Sequence, residues 1–179
     1  VLAPVAKVLN DLCGIERGYM TTVHAYTGDQ PTQDTVHKDL YRARAAALSM
    51  IPTSTGAANA IGRVLPELKG KLHGSSIRVP TPNVSVIDLA VSTSREVSIN
   101  EVNDAIRQTA AGAMSGVLAF TTEPLVSVDL NHRTESSIVA LPQTDVVDGR
   151  MVRVLAWYDN EWSFATRMAD TAVAMAKLI

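Results

Sequence analysis

The chain has 179 residues and is 46% hydrophobic, enough to bury a single core without staples. Its formal net charge of -2, from sixteen basic and eighteen acidic residues, excludes a broad electrostatic field for nucleic acid or anionic lipid and favours small-molecule partners. The lone cysteine, Cys13, excludes an intrachain disulfide framework or cysteine metal cluster; with no membrane-length apolar run and no signal-peptide pattern, the expectation is a soluble cytoplasmic domain. Leu2, Val5, Leu9 and Leu12 recur at helical spacing until Gly14 stops the run. Pro4 is tolerated only in a first helical turn, and there is no initiator methionine, so the chain reads as opening inside an element from which preceding sequence was cut.

Gly18 to Ala25, carried by Tyr19, Thr21, Thr22 and Val23, predicts a strand that delivers His24 to its C-terminal end. From Tyr26 to about Ile51 neither period is sustained, and a loop of that length in a compact domain points to function. Thr53-Ser54-Thr55-Gly56 supplies capping residues for a helix carrying Ala57, Ala60, Ile61, Val64 and Leu65 and ended by Pro66. Extended runs over Ser75 to Val79 and Val84 to Thr93 flank Pro80-Thr81-Pro82-Asn83, which cannot continue a central strand. Ser98 to Glu101 has the form of a capping box ahead of an amphipathic helix with Val102, Ala105, Ile106 and Ala110. Strands are expected near Leu125 to Leu130, Ser137 to Val146 and Met151 to Tyr158, the last two joined at Asp148-Gly149. A final helix is expected from about Asn160 to Lys177. Strands in hairpin-like succession with helices between them indicate an α+β layer. GxGxxG and Walker motifs are both absent, so a complete dinucleotide fold is not encoded in these residues.

His24 lies where an imidazole on a rigid strand end can reach a substrate, although a satisfied structural histidine has the same sequence context. Thr55-Gly56 offers free N–H groups, a hydroxyl and the positive end of a helix dipole for an anion; an ordinary N-cap has the same signature. Arg78 can clamp a phosphate, with Thr27 and Asp29 completing such a site. His37, His73 and His132 lack metal-ligand spacing, and no metal is expected. A Cys13–His24 dyad is disfavoured, because Cys13 ends a helix, where the dipole raises a thiol pKa.

At T-T-V-H-A-Y-T-G-D-Q (Thr21 to Gln30) the chain resembles the active-site histidine segment of the phosphorylating glyceraldehyde-3-phosphate dehydrogenases. The resemblance continues through R-A-R-A-A-A (Arg42 to Ala47), I-P-T-S-T-G-A-A (Ile51 to Ala58), R-V-P-T-P-N-V-S-V (Arg78 to Val86) and W-Y-D-N-E-W (Trp157 to Trp162), and so covers essentially the whole chain. It implies a mixed, largely antiparallel sheet with helices on one face, the catalytic domain of that type, without the N-terminal Rossmann domain. Residues 1–159 would form the catalytic domain, including an S-shaped loop over 26–51 that lies at a subunit interface. Residues 160–179 would form a helix that docks on the NAD-binding domain.

The resemblance also implies roles. His24 resembles the base and hydrogen-bond donor that activates a cysteine thiol and steadies an oxyanion; Thr27, Asp29 and Arg78 resemble the substrate phosphate site. Thr55 and Gly56 resemble part of the inorganic phosphate site, Asn160 the residue holding the nicotinamide carboxamide, and Phe164 the aromatic beside it. The implied reaction is NAD-dependent oxidation of glyceraldehyde 3-phosphate, with inorganic phosphate, to 1,3-bisphosphoglycerate through a cysteine thioester, in a homotetramer. In the family the nucleophile lies in S-C-T-T-N-C directly before L-A-P. Here L-A-P is Leu2-Ala3-Pro4, so the nucleophile falls before Val1 and these residues are expected to be inactive alone. Asn59 stands where lysine is usual, and Ser163-Phe164 where glycine and tyrosine or phenylalanine are usual. Pro124 to His132 and the C-terminal tail also resemble erythrose-4-phosphate dehydrogenase, an alternative beside a non-catalytic oligomerisation or binding fragment.

Overall fold

The computed structural model describes residues 1–178, apart from the side chain of Asn59, which lies outside the described residues. Helix α1 (Leu2–Cys13) buries Leu2, Val5, Ala6, Val8, Leu9 and Cys13, the stripe that the apolar spacing predicts. It ends at Gly14, whose φ of 65° suits a residue without Cβ and whose N–H bonds to the Asn10 carbonyl at 2.9 Å. Strand β1 (Ile15–Ala25) follows, then the long loop, which contains only short 3-10 turns at Leu40–Ala43 and Ala46–Leu48. Next come β2 (Ile51–Ser54), α2 (Ala57–Val64), β3 (Leu72–Val79) and β4 (Ser85–Thr93).

Helix α3 (Ile99–Ala111) starts with the expected capping box: Ser98 Oγ accepts from the Glu101 N–H at 3.2 Å, and Glu101 Oε2 accepts from the Ser98 N–H at 2.8 Å. Short strands β5 (Leu118–Thr121), β6 (Ser137–Ala140) and β7 (Asp145–Val147) precede β8 (Met151–Tyr158) and α4 (Trp162–Ala176). The β7–β8 hairpin turns at Asp148-Gly149, with φ of 51° and 67°, as the dipeptide predicts.

Among the described residues eight strands form one sheet in the order β2-β3-β1-β4-β8-β6-β5, with β7 on β8. Of their pairings β1 with β3 and β5 with β6 are parallel and the rest antiparallel, so the sheet is largely antiparallel, as expected. Helices α1, α2 and α3 cover one face, where Ile87, Leu89 and Val91 of β4 and Val152, Val154 and Ala156 of β8 join a core centred on α1. The other face carries Asp88, which takes two hydrogen bonds from Arg153 at 2.8 and 2.7 Å.

The structure corrects three local expectations. Leu125 to Leu130 is not a strand: Asp129 accepts from the Val126 N–H at 2.8 Å, curling Ser127–Leu130 into a 3-10 turn, and the strand beside β6 is the four-residue β5. Ser137 to Val146 splits into β6 and β7 because Pro142 sits in an intervening 3-10 turn. Thr53 and Ser54 belong to β2, leaving Gly56 at the N-cap of α2, where Thr55 Oγ1 accepts from the Ala57 N–H at 3.2 Å.

Leu89 is fully buried in the central strand β4. Leu89→Ala is expected to destabilise the domain by about 3 kcal/mol, read as a lower urea midpoint at unchanged slope; a loss under about 1 kcal/mol would mean this face is not the core.

Candidate functional site

Strand pairing gathers the chemically capable residues at one edge of the sheet. The parallel β1–β3 register sets His24 beside Arg78, and the antiparallel β4–β8 register sets Ser85 beside Tyr158. Arg78 Nη1 lies 2.6 Å from His24 Nδ1 and donates to the Ala25 carbonyl at 3.0 Å. That carbonyl is also 2.7 Å from Nδ1. A guanidinium can only donate, so the arginine contact is satisfied with the imidazole proton on Nε2 and the carbonyl contact with the proton on Nδ1. Burial pushes the His24 pKa down; the Ala25 carbonyl opposes this, and Arg78 adds to it. The downward causes prevail, which favours the neutral ring. The Tyr158 ring meets His24 edge-on at 5.9 Å, and burial pushes the Tyr158 hydroxyl up to about 12.

Arg78 forms no ion pair among the described residues, and its buried Nε–H has no acceptor. An unpartnered donor on a half-buried cation is the condition under which an anion binds well. Asp29 pairs directly with Arg42, which also donates to Thr53 Oγ1 at 2.8 Å, while the negative charge of Asp29 reaches Arg78 across space. The reason lies in the loop, which folds Arg42 back over β2 and so puts a nearer cation beside that carboxylate. Thr27 is held by Gln30, whose Oε1 accepts from the Thr27 N–H at 2.9 Å and from its hydroxyl at 3.1 Å.

Thr55 and Gly56 stand apart. Strand β2 runs antiparallel to β3, pairing Ile51 with Arg78 and Ser54 with Ser75, so they lie at least three strand residues, roughly 10 Å, from Arg78. The space at Gly56 is open. Arg42, bonded to Thr53 and Asp29, stands between this helix start and Arg78.

Asn160 follows β8 and is positioned by its neighbour. Asp159, fully buried, accepts from the Trp162 and His132 N–H groups and Asn83 Nδ2 at 2.8 Å each, and from the Glu161 N–H at 3.0 Å. Burial tends to raise its pKa, but those donors outweigh burial and leave it lowered. Ser85 Oγ donates to Asn160 Oδ1 at 2.8 Å and accepts from the Ala25 N–H at 3.0 Å. Val84, just before it, has a φ of 66°, a strain of about 1–3 kcal/mol for a β-branched residue, held by the Asn83 bonds. Phe164, on α4, is 65% exposed.

Cys13 is 2% exposed, donates to the Leu9 carbonyl at 3.0 Å, and has a pKa raised by burial, so it does not join His24. The structure thus groups His24, Arg78 and Asn160, keeps Thr27 and Asp29 on the adjoining loop, and separates Thr55 and Gly56. Sequence reasoning missed Arg42, Gln30, Ser85, Tyr158 and Asp159 as individual participants. Only Asp159 had a readable signal, an acidic residue at a helix start.

Residues 1–160 match the family model described as glyceraldehyde 3-phosphate dehydrogenase, C-terminal domain. The chain is 67% identical to glyceraldehyde-3-phosphate dehydrogenase of Cereibacter sphaeroides over 99% of its own length and 54% of the relative's. It is 67% identical to that of Xanthobacter flavus over 99% and 53%, and 56% identical to that of Geobacillus stearothermophilus over 98% and 52%. The chain therefore spans about half the length of the curated relatives it matches.

A proton NMR titration of His24 should give a midpoint below the ordinary 6.5, and Arg78→Gln should raise it by removing a nearby positive charge. Because the folded value is the lower one, the stability His24 contributes is complete above about pH 6.5 and lost as pH falls through its depressed midpoint. An unmoved midpoint in Arg78→Gln would mean that the guanidinium does not act on the ring.

Proposed function

This chain belongs to the glyceraldehyde 3-phosphate dehydrogenase C-terminal domain family, and from that premise we propose that it is the substrate-holding half of an NAD-dependent, phosphate-using glyceraldehyde-3-phosphate dehydrogenase. One observation carries the reading: a neutral His24 lies 2.6 Å from an Arg78 whose buried Nε–H lacks an acceptor, at the sheet edge that also presents Asn160. In this reading Arg78 and Thr27 bind the phosphate of the aldehyde substrate, and Asp29 acts on the site through Arg42. Thr55 and Gly56, at an open helix start, take inorganic phosphate.

His24 works in two proton states. When the substrate phosphate draws Arg78 away, the ring exchanges its proton with solvent onto Nδ1, which donates to the Ala25 carbonyl 2.7 Å away and leaves Nε2 free to take the thiol proton. The Nε2–H so formed then donates to the developing oxyanion of the aldehyde. The only cysteine of the sequence, Cys13, is buried and cannot serve, so the thiol lies outside these 179 residues and they are inactive alone.

The residues at the site fit the nicotinamide end of NAD: Asn160 presents an amide nitrogen that no protein group accepts among the described residues, and Phe164 an exposed ring. When bound, NAD accepts the hydride. Residues 1–159 would then be the catalytic unit and 160–179 the segment that docks on a nucleotide-binding domain; Phe164, Met168 and Met175 lie exposed on α4 for that purpose. Association into a homo-oligomer, a tetramer in the complete enzyme, is supported by the 26–51 loop, where Val36, Leu40, Leu48 and Met50 are all more than 70% exposed. No helix among the described residues is long and apolar enough to cross a membrane.

In the full-length enzyme, His24→Asn should lower kcat by about 10²–10⁴, and Arg78→Gln should raise KM for the aldehyde phosphate while leaving KM for NAD unchanged. NADH formation should require inorganic phosphate; formation without it would favour erythrose-4-phosphate oxidation to an acid. By sedimentation the 179-residue chain should self-associate at micromolar concentration, and a purely monomeric profile would point to another role for the exposed loop.

A further inference from the structure

We propose that Ser85 is a positioning residue that determines which end of the Asn160 amide faces the cofactor ring, so that this site selects a ring substituent carrying a hydrogen-bond acceptor. The inference rests on the reading that Asn160 meets the nicotinamide carboxamide, and it adds a specificity to that contact.

Ser85 is 1% exposed, at the first position of β4, so its hydroxyl has no bulk water to satisfy it. A serine hydroxyl has one proton and two lone pairs. One lone pair accepts the Ala25 N–H at 3.0 Å, and the proton goes to Asn160 Oδ1 at 2.8 Å. With its proton given to Oδ1, the hydroxyl is the donor of this contact, so the amide is held one way round, with its NH2 group turned outward as a donor.

The backbone supports this arrangement. Val84 is held at a φ of 66°, between Asn83, which bonds to Asn131 at 2.6 Å and Asp159 at 2.8 Å, and the bonds of Ser85. Asp159 anchors the turn that carries Asn160. Both ends of the Ser85–Asn160 contact are thus fixed before any ligand arrives, and the same hydroxyl ties Asn160 to Ala25, the residue after His24.

The test measures dissociation constants of NAD, and of its 3-acetylpyridine analogue, for the full-length enzyme without substrate. The analogue keeps the carbonyl acceptor and lacks the NH2 donor. The unsubstituted enzyme should bind the two within about threefold, while Ser85→Ala and the volume-preserving Ser85→Cys should each weaken both by about fivefold, as expected for one lost neutral hydrogen bond. KM for the aldehyde phosphate should stay unchanged, and Ser85→Ala added to Asn160→Ala should cause no further loss. Three results would overturn the proposal: analogue binding more than about tenfold weaker than NAD in the unsubstituted enzyme, Ser85 variants with unchanged constants while Asn160→Ala weakens binding, or full additivity of the two substitutions. If Asn160→Ala itself leaves both constants unchanged, the underlying reading of Asn160 fails, and the proposal with it.

Discussion

Strand β1 pairs in parallel with β3 on one side and antiparallel with β4 on the other, and the location of every candidate group depends on this double register. In a parallel pair both C-terminal ends lie at the same edge, so His24 and Arg78, fifty-four residues apart in sequence, become neighbours. The antiparallel partner begins at that same edge, which places Ser85, and β8 returns to it, which places Tyr158 and the turn holding Asn160. A one-residue slip would turn His24 to the opposite face of the sheet, and burial of Met20 and Thr22 on the helix-covered face resists that slip.

The electrostatics of the edge follow from what is left uncompensated. Several arginines elsewhere are paired, Arg153 with Asp88, Arg133 with Glu135, and Arg42 with Asp29. Arg78 has no carboxylate partner among the described residues, and burial lowers its pKa from the ordinary arginine value. Its charge is directed instead at the imidazole, which it helps keep neutral. No ion pair has to be broken before that arginine meets an incoming anion, so ligand binding and the proton state of His24 share one guanidinium.

Surfaces away from the site leave apolar groups exposed. The sheet face opposite the helices holds a groove of about 450 Å³ beside Tyr19 and Met151, each 50% exposed. On α4 only Ser163 is buried, so the helix presents its apolar residues to solvent. An element that buries almost nothing gains little from tertiary packing, and α4 draws its order from the Asp159 turn at its start.

Local chemistry was legible in the sequence wherever it depends on neighbours in the chain. The α1 stripe, the capping box at Ser98 and Glu101, the Asp148-Gly149 turn and β8 each rest on periodicity or on a side chain reaching its own backbone. The family resemblance likewise followed from contiguous motifs. Short, context-dependent elements were not legible: β5 has four residues and no sustained alternation, and the β-prone run ending at Leu130 curls because one carboxylate outcompetes a ladder. What only the tertiary structure decided is which groups share an edge. Asp29 was free to choose between two arginines, and the folded loop gave it Arg42; the Ser85–Asn160 bond joins residues 75 apart. Sequence records which donors and acceptors exist, but their pairing depends on strand register and burial, which arise only when distant segments compete for the same buried space.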